Sequence, residues 1–258
     1  MIGKKKEVVL KRGVFGNAID YSVYIMNKRE KVLGFLVGFL IGFIAIQIFF
    51  GHIIVSAVFA VVPAFAGIKL NQMRLQEKRN DVLLMQFKDM LESLCTSLGS
   101  GKNTVDAFAD SYNDLRNQFG EDAYIVEEVA ILLTGLKNNY TIEQMLSDFA
   151  DRSQIEDIQS FADVFEVTNR LGGNIVQIID ETRNIIIDKV NIQLEISTLI
   201  SGKKNELNIM IVLPFVVVTQ LGSFGEGANL IGILSRVLAL AMFVGAYALG
   251  QKMIKIRI

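Results

Sequence analysis

The sequence predicts an all-α integral membrane protein, with four transmembrane helices and a six-helix cytoplasmic bundle. Three observations predict it. Long stretches carry no charge, in a chain that is 51% hydrophobic and 21% charged. Between them, apolar residues recur at three and four, the period of an amphipathic helix, with no proline between Pro63 and Pro214. Acidic and basic residues are also segregated along the chain. Residues 80–202 hold 21 Asp and Glu against 8 Lys and Arg, a net of −13 in a chain of formal charge −1.

The uncharged stretches are residues 32–68, 207–225 and 237–251. A bilayer's hydrocarbon takes about 20 apolar residues per helix. The first stretch therefore holds two spans, with Phe50-Gly51-His52 as the turn between them. Spans are expected at 32–50, 53–69, 207–224 and 233–253. A soluble core seldom contains 37 consecutive uncharged residues. A secretory signal is also a poor fit, because the first run is followed by a second one and not by a cleavage site.

Basic residues flanking spans collect on the cytoplasmic side. Lys4, Lys5, Lys6, Lys11, Arg12, Lys28, Arg29 and Lys31 precede the first span, and Lys69, Arg74, Lys78 and Arg79 follow the second. Lys203 and Lys204 precede the third, and Lys252, Lys255 and Arg257 follow the fourth. Both termini are thus expected in the cytoplasm, with both short hairpins outside. The organisation reads as a basic N-terminal segment 1–31, a hairpin 32–69, a helical domain 72–206, a hairpin 207–253 and a tail 254–258. Pro214 is expected to kink the third span. Arg236 is placed at the outer interface, its stem along lipid and its head in water.

Within the domain, the first helix turns Leu84, Phe87, Leu91, Leu94, Cys95 and Leu98 inward and stops at Gly99-Ser100-Gly101. Asn103 or Thr104 caps a second, with Val105, Phe108, Tyr112, Leu115 and Phe119 inward. A third covers about 122–137, with Val126, Val129, Leu132, Leu133 and Leu136 inward. Thr141 with Gln144 forms a capping box that opens the fourth, whose core face is Ile142, Met145, Leu146 and Phe149. The fifth, about 155–171, carries Ile158, Phe161, Phe165 and Leu171 and ends at Gly172-Gly173. Asn174 with Gln177 repeats the capping pattern and opens a long sixth, with Ile175, Ile178, Ile179, Ile185, Ile186 and Ile192 among its apolar residues.

The residue types narrow the chemistry. His52 is the only histidine and falls in the first hairpin turn; Cys95 is the only cysteine, so no intrachain disulfide forms. Gly99-Ser100-Gly101-Lys102 lacks the spacing of a phosphate loop. The adjacent acids Glu127-Glu128 and Asp180-Glu181 point apart on a helix, so they are read as solvated or partner-facing and not as acid–base pairs. No catalytic, cofactor or metal site is expected. The acidic domain repels nucleic-acid phosphates and can steer a basic protein surface toward itself.

Several segments resemble the F-domain proteins of type II secretion. They are QFKDMLESLCTSLGSGKNTVDAF at 86–108, VEEVAILLTGLKNNYTIEQMLSDFADR at 126–152, FEVTNRLGGNIVQIIDETRNIIIDK at 165–189, IVLP at 211–214 and LSRVLALAMFVGAYALGQKMIKI at 234–256. More narrowly, the order of spans and helices is similar to the single-domain platform proteins of tight-adherence (Tad) pilus systems. Asn138-Asn139 stands where that family often has glycine, and Ser201-Gly202-Lys203-Lys204 lacks the family's acid. The resemblance implies a non-catalytic inner-membrane platform. It implies contacts with a cytoplasmic secretion ATPase and with pilin subunits, and a homodimer or a pairing with a sister F-domain protein.

Overall fold

The computed structural model describes residues 10–50 and 52–192, with residues 195, 196, 198, 209 and 245 beyond them. The expected third and fourth spans, with Pro214 and Arg236, lie outside the described residues. A two-residue strand pair, β1 (Lys11–Arg12) and β2 (Ala18–Ile19), is antiparallel, with Lys11 opposite Ile19. Among the described residues, the elements that follow it are helices: α1 (Lys28–Phe50), α2 (Ile53–Phe59), α3 (Val61–Gly99), α4 (Thr104–Phe119), α5 (Tyr124–Lys137), α6 (Ile142–Ser153), α7 (Glu156–Leu171) and a further helix, α8, over 175–192. The described residues divide into two units. One takes residues up to Asn27 with Gln72–Asn191; the other takes Lys28–Asn71 with the few described from Ile192 onward.

In the second unit, α1 and the α2–α3 stretch are each long and apolar enough to cross a membrane. The break between α2 and α3 falls at Ala60, where Pro63 cannot donate to the carbonyl four residues earlier. Glycines bring the two helices together. A methyl group on Gly67 would lie 2.6 Å from the Gly34 carbonyl oxygen, and one on Gly38 would lie 2.6 Å from that of Pro63. Gly34, Gly38 and Gly42 recur every fourth residue, so one face of α1 is bare backbone against Pro63, Ala64 and Gly67. The rest of the hairpin is apolar and exposed, Ile54 at 81%.

The first unit is built round the phenylalanines expected in its core. Phe87 and Phe161 meet edge to face at 5.4 Å, and Phe161 lies 5.7 Å from Phe165. Leu83, Leu91, Leu94, Phe108, Leu115, Ile125, Leu146 and Ile186 close round them. Five of the apolar residues named from sequence turn out exposed, Ile192 among them. Val105 sits in the first turn of α4, Phe119 and Leu171 are the last residues of their helices, and Ile185 is one residue out of phase with Ile179 and Ile186.

The predicted turns and caps form as the backbone requires. Gly101 has φ +87° and Gly172 φ +71°, the left-handed region that closes a helix cheaply only with glycine. Asn139 also adopts positive φ, at +63°, in the Asn138-Asn139 turn, a conformation that asparagine tolerates. Asn103 caps α4 by accepting from the Asp106 N–H. Thr141 and Gln144 make both bonds of a capping box. Asn174 accepts from the Gln177 N–H, while the Gln177 amide donates to Glu181.

One feature departs from the expected organisation. Residues 10–27, set apart as a basic segment, belong to the helical unit and supply part of its core. Ala18, Ile19, Tyr21, Tyr24 and Met26 are all buried. There is also no loop between the apolar stretch and the domain's first helix, since α3 serves as both.

Candidate functional site

Arg152, on α6, is 2% exposed, as is its partner Glu128 on α5. Both stand in phase with core residues. Arg152 follows Met145 and Phe149 at seven and three, and Glu128 lies between Ile125 and Leu132. The two face each other as a fork on a fork. Nη1 donates to Glu128 Oε1 at 2.9 Å and Nη2 to Oε2 at 2.6 Å. Arg152 Nε donates to Asp148 at 2.8 Å, and Nη1 also reaches the Ile19 carbonyl at 2.9 Å. Tyr21 completes the cluster. Its hydroxyl donates to Glu128 at 3.0 Å, and its backbone N–H donates to the Arg152 carbonyl at 2.9 Å.

The partner-facing role assigned to Glu128 is therefore corrected: its carboxylate is consumed inside the bundle. Its neighbour Glu127 is half-buried. Burial raises the Glu128 carboxyl above its ordinary range, against the pull of Arg152 and the Tyr21 hydroxyl. Burial also works against the charge on Arg152, but the hydrogen bonds and charges of Glu128 and Asp148 outweigh it and hold the guanidinium ionised. Burial first, and then Glu128, push the Tyr21 phenol well up.

The N-terminal segment sits on this cluster. Gly13, at φ +92°, lies so close that a methyl group there would be 2.9 Å from Arg152 Nε. The Val14 N–H donates to Asp148 at 3.0 Å, and Phe15 packs edge to face on Tyr140. From there the chain runs along α3. Gln76 donates to the Ser22 carbonyl at 2.7 Å and Gln72 to that of Tyr24 at 2.9 Å. Arg79 donates to the Tyr21 carbonyl at 2.7 Å and to that of Val23 at 3.3 Å, with its guanidinium 5.4 Å and 5.2 Å from the ring centres of Tyr21 and Tyr24. Arg79, counted from sequence as a membrane-flanking charge, is thus buried.

Asp180 and Glu181 lie elsewhere, on α8. Asp180 is half-exposed and bonded to Arg183 at 2.7 Å, and Glu181 is exposed. The exposed acids extend along α4, where Asp106, Asp110 and Asp114 share one side and Lys102 bonds Asp110. An open groove beside the Gly13 turn is lined by Glu143, Asp148, Asp151 and Glu166, with Arg170 paired to Glu166. Cys95 is half-buried, and burial, then the charge of Asp180, raise its thiol, which disfavours the nucleophilic thiolate. His52 is exposed at the start of α2, where its carbonyl accepts from Ser56. Among the described residues, no group of three or more His, Cys, Asp or Glu is placed to hold a metal ion.

Sequence reasoning missed Tyr21, Arg79 and Arg152, although a signal for the two arginines was present. Each arginine falls in phase with the apolar face of its helix, Arg79 four residues before Leu83 and eight before Phe87. A charge at a core position announces a buried partner. What the assembled residues do is hold chain to chain, through carboxylates, guanidinium groups and backbone carbonyls. Comparison with known protein families, with curated proteins and with solved structures returned no match.

Proposed function

We propose that the chain is a non-catalytic inner-membrane platform of a Tad-type pilus or type II secretion-like assembly machine. In this role it couples a cytoplasmic secretion ATPase to the extraction of pilin subunits from the bilayer. The observation that carries the proposal is α3. One helix bears both part of an apolar stretch fit for a bilayer and the core residues Leu83, Phe87, Leu91 and Leu94 of an acidic helical unit. A continuous helix between membrane and cytoplasmic domain is what a coupling protein needs, because a flexible loop would dissipate displacement. The acidic excess of residues 80–202 suits a basic protein partner. The order of helices and turns, and the segments similar to F-domain proteins, favour this platform over other membrane-anchored scaffolds. The chain acts as a homodimer or beside a sister F-domain protein, with both termini in the cytoplasm.

The test is affinity purification of the tagged full-length chain from its native cells in mild detergent, with crosslinking and mass spectrometry. Co-elution of a secretion ATPase with pilin or a second F-domain protein is the expected outcome. Recovery of the chain alone across several detergents overturns the proposal and turns attention to an anchored scaffold or a carrier, which solute flux in liposomes separates.

A further inference from the structure

The apolar hairpin of the second unit carries its cations at one end. Lys28, Arg29 and Lys31 open α1, and Lys69 stands on α3 at the same end. Two contacts fix that level. The Asn71 amide donates to the Glu30 carbonyl at 3.1 Å, and a methyl group on Gly34 would lie 3.2 Å from the Ile68 Cα. At a rise of about 1.5 Å per residue, Arg29 and Lys69 sit within about one turn of each other along the hairpin. Both are exposed, and among the described residues neither has a carboxylate partner.

Each of the two heads a stripe of exposed apolar side chains. On α1, Leu33, Leu36 and Leu40 follow Arg29 at four, seven and eleven. On α3, Phe65 and Val62 precede Lys69 at four and seven. Residues so spaced share one face of a helix. From Arg29 to Leu40 the rise is about 16 Å, close to half of a hydrocarbon core about 30 Å thick. Lys31 is placed differently. It stands over Gly34 and Gly38, on the face that α3 covers.

We infer that this end of the hairpin binds anionic phospholipid, with Arg29 and Lys69 on headgroup phosphates and the two stripes against acyl chains. A free phosphate would satisfy the cations alone; a phospholipid satisfies the cations and the stripes together. Anionic headgroups are favoured over zwitterionic ones because choline or ethanolamine brings its own cation to a positive site. The one acid within residues 28–31 and 66–71 is Glu30, which is half-buried, so no exposed carboxylate there takes up that second cation. The inference rests on the hairpin's lying in a bilayer, as the platform reading also does, and on nothing else in that reading.

The experiment reconstitutes the full-length chain in phosphatidylcholine bilayers and follows spin-labelled lipids by electron paramagnetic resonance. The fraction of label immobilised by the protein is compared for phosphatidylglycerol and phosphatidylcholine of the same acyl chains. Phosphatidylglycerol should be favoured about fivefold, the worth of one cation beside an anionic headgroup. Arg29→Gln with Lys69→Gln should bring the preference below about twofold. Lys31→Gln with Lys102→Gln removes the same charge away from both stripes and should leave the preference near that of the parent. No preference in the parent, a preference that survives the first pair, or an equal loss with the second pair overturns the inference. So does loss of the preference when inorganic phosphate replaces chloride at equal ionic strength, which would assign the cations to free phosphate. Immobilised lipid without preference defeats this inference alone, whereas absence of any immobilised lipid defeats the bilayer placement and the platform reading with it.

Discussion

At the scale of residues, the Arg152–Glu128 pair decides more stability than any exposed charge pair among the described residues. Removing one partner leaves the other charge buried and uncompensated, a loss of about 3–5 kcal/mol. Arg152→Met should therefore lower the unfolding free energy by about that amount in chemical denaturation followed by circular dichroism. Adding Glu128→Leu should restore much of it, since an apolar pair carries no desolvation cost. Asp20 gives a pH test. Burial alone would raise its carboxyl, but the Ser22 hydroxyl at 2.6 Å, the Ser22 N–H at 2.9 Å and the charges of Arg12 and Arg152 hold it below the ordinary range. A carboxyl lowered on folding contributes stability that is complete above its unfolded pKa of about 4 and is lost as pH falls through the lower folded value. Asp20→Asn should flatten the pH dependence of stability in that acid window, measured by thermal unfolding across it.

At the scale of elements, two features set the helix ends and the hairpin spacing. Thr141→Ala removes the capping-box acceptor of α6 and should cost about 1 kcal/mol by the same denaturation assay. In the hairpin, Gly67→Leu sets a side chain against backbone and should cost about 1–3 kcal/mol, or splay α1 from α3. Crosslinking between cysteines introduced on the two helices reports which. The helices of the bundle, their glycine turns and their caps were legible in the sequence, because each depends on residues within a turn or two. The packing of residues 10–27 was not. Tyr21 bonds Glu128 across 107 positions and Val14 bonds Asp148 across 134, and no local pattern encodes such a partner. Periodicity did mark Arg79, Glu128 and Arg152 as inward, but the habit of assigning charges to the surface hid them. The glycine spacing of α1 was likewise legible and went unread.

At the scale of the whole molecule, the platform proposal makes the exposed acids a matter of recognition and not of folding. Asp180→Lys with Glu181→Lys should leave thermal unfolding nearly unchanged, since both side chains reach solvent. It should reduce pilus output and ATPase co-purification together if α8 meets the motor. Unchanged output would move the contact to another acidic surface, with the Asp106, Asp110 and Asp114 side of α4 next to be reversed.

The seat of the N-terminal segment also sets a timetable for biosynthesis. Residues 10–27 leave the ribosome well before α6, so the Ile19 carbonyl awaits an arginine 133 positions later. At about 5–20 residues per second, α6 follows after roughly 7–27 s. Throughout that interval Tyr21, Tyr24 and Met26 are apolar surface without their final cover, while α1 and α2, which follow them in the chain, are already made. A nascent chain halted before α6 thus presents residues 10–27 unseated to chaperones and proteases, and translation past Arg152 is the step that takes them out of their reach.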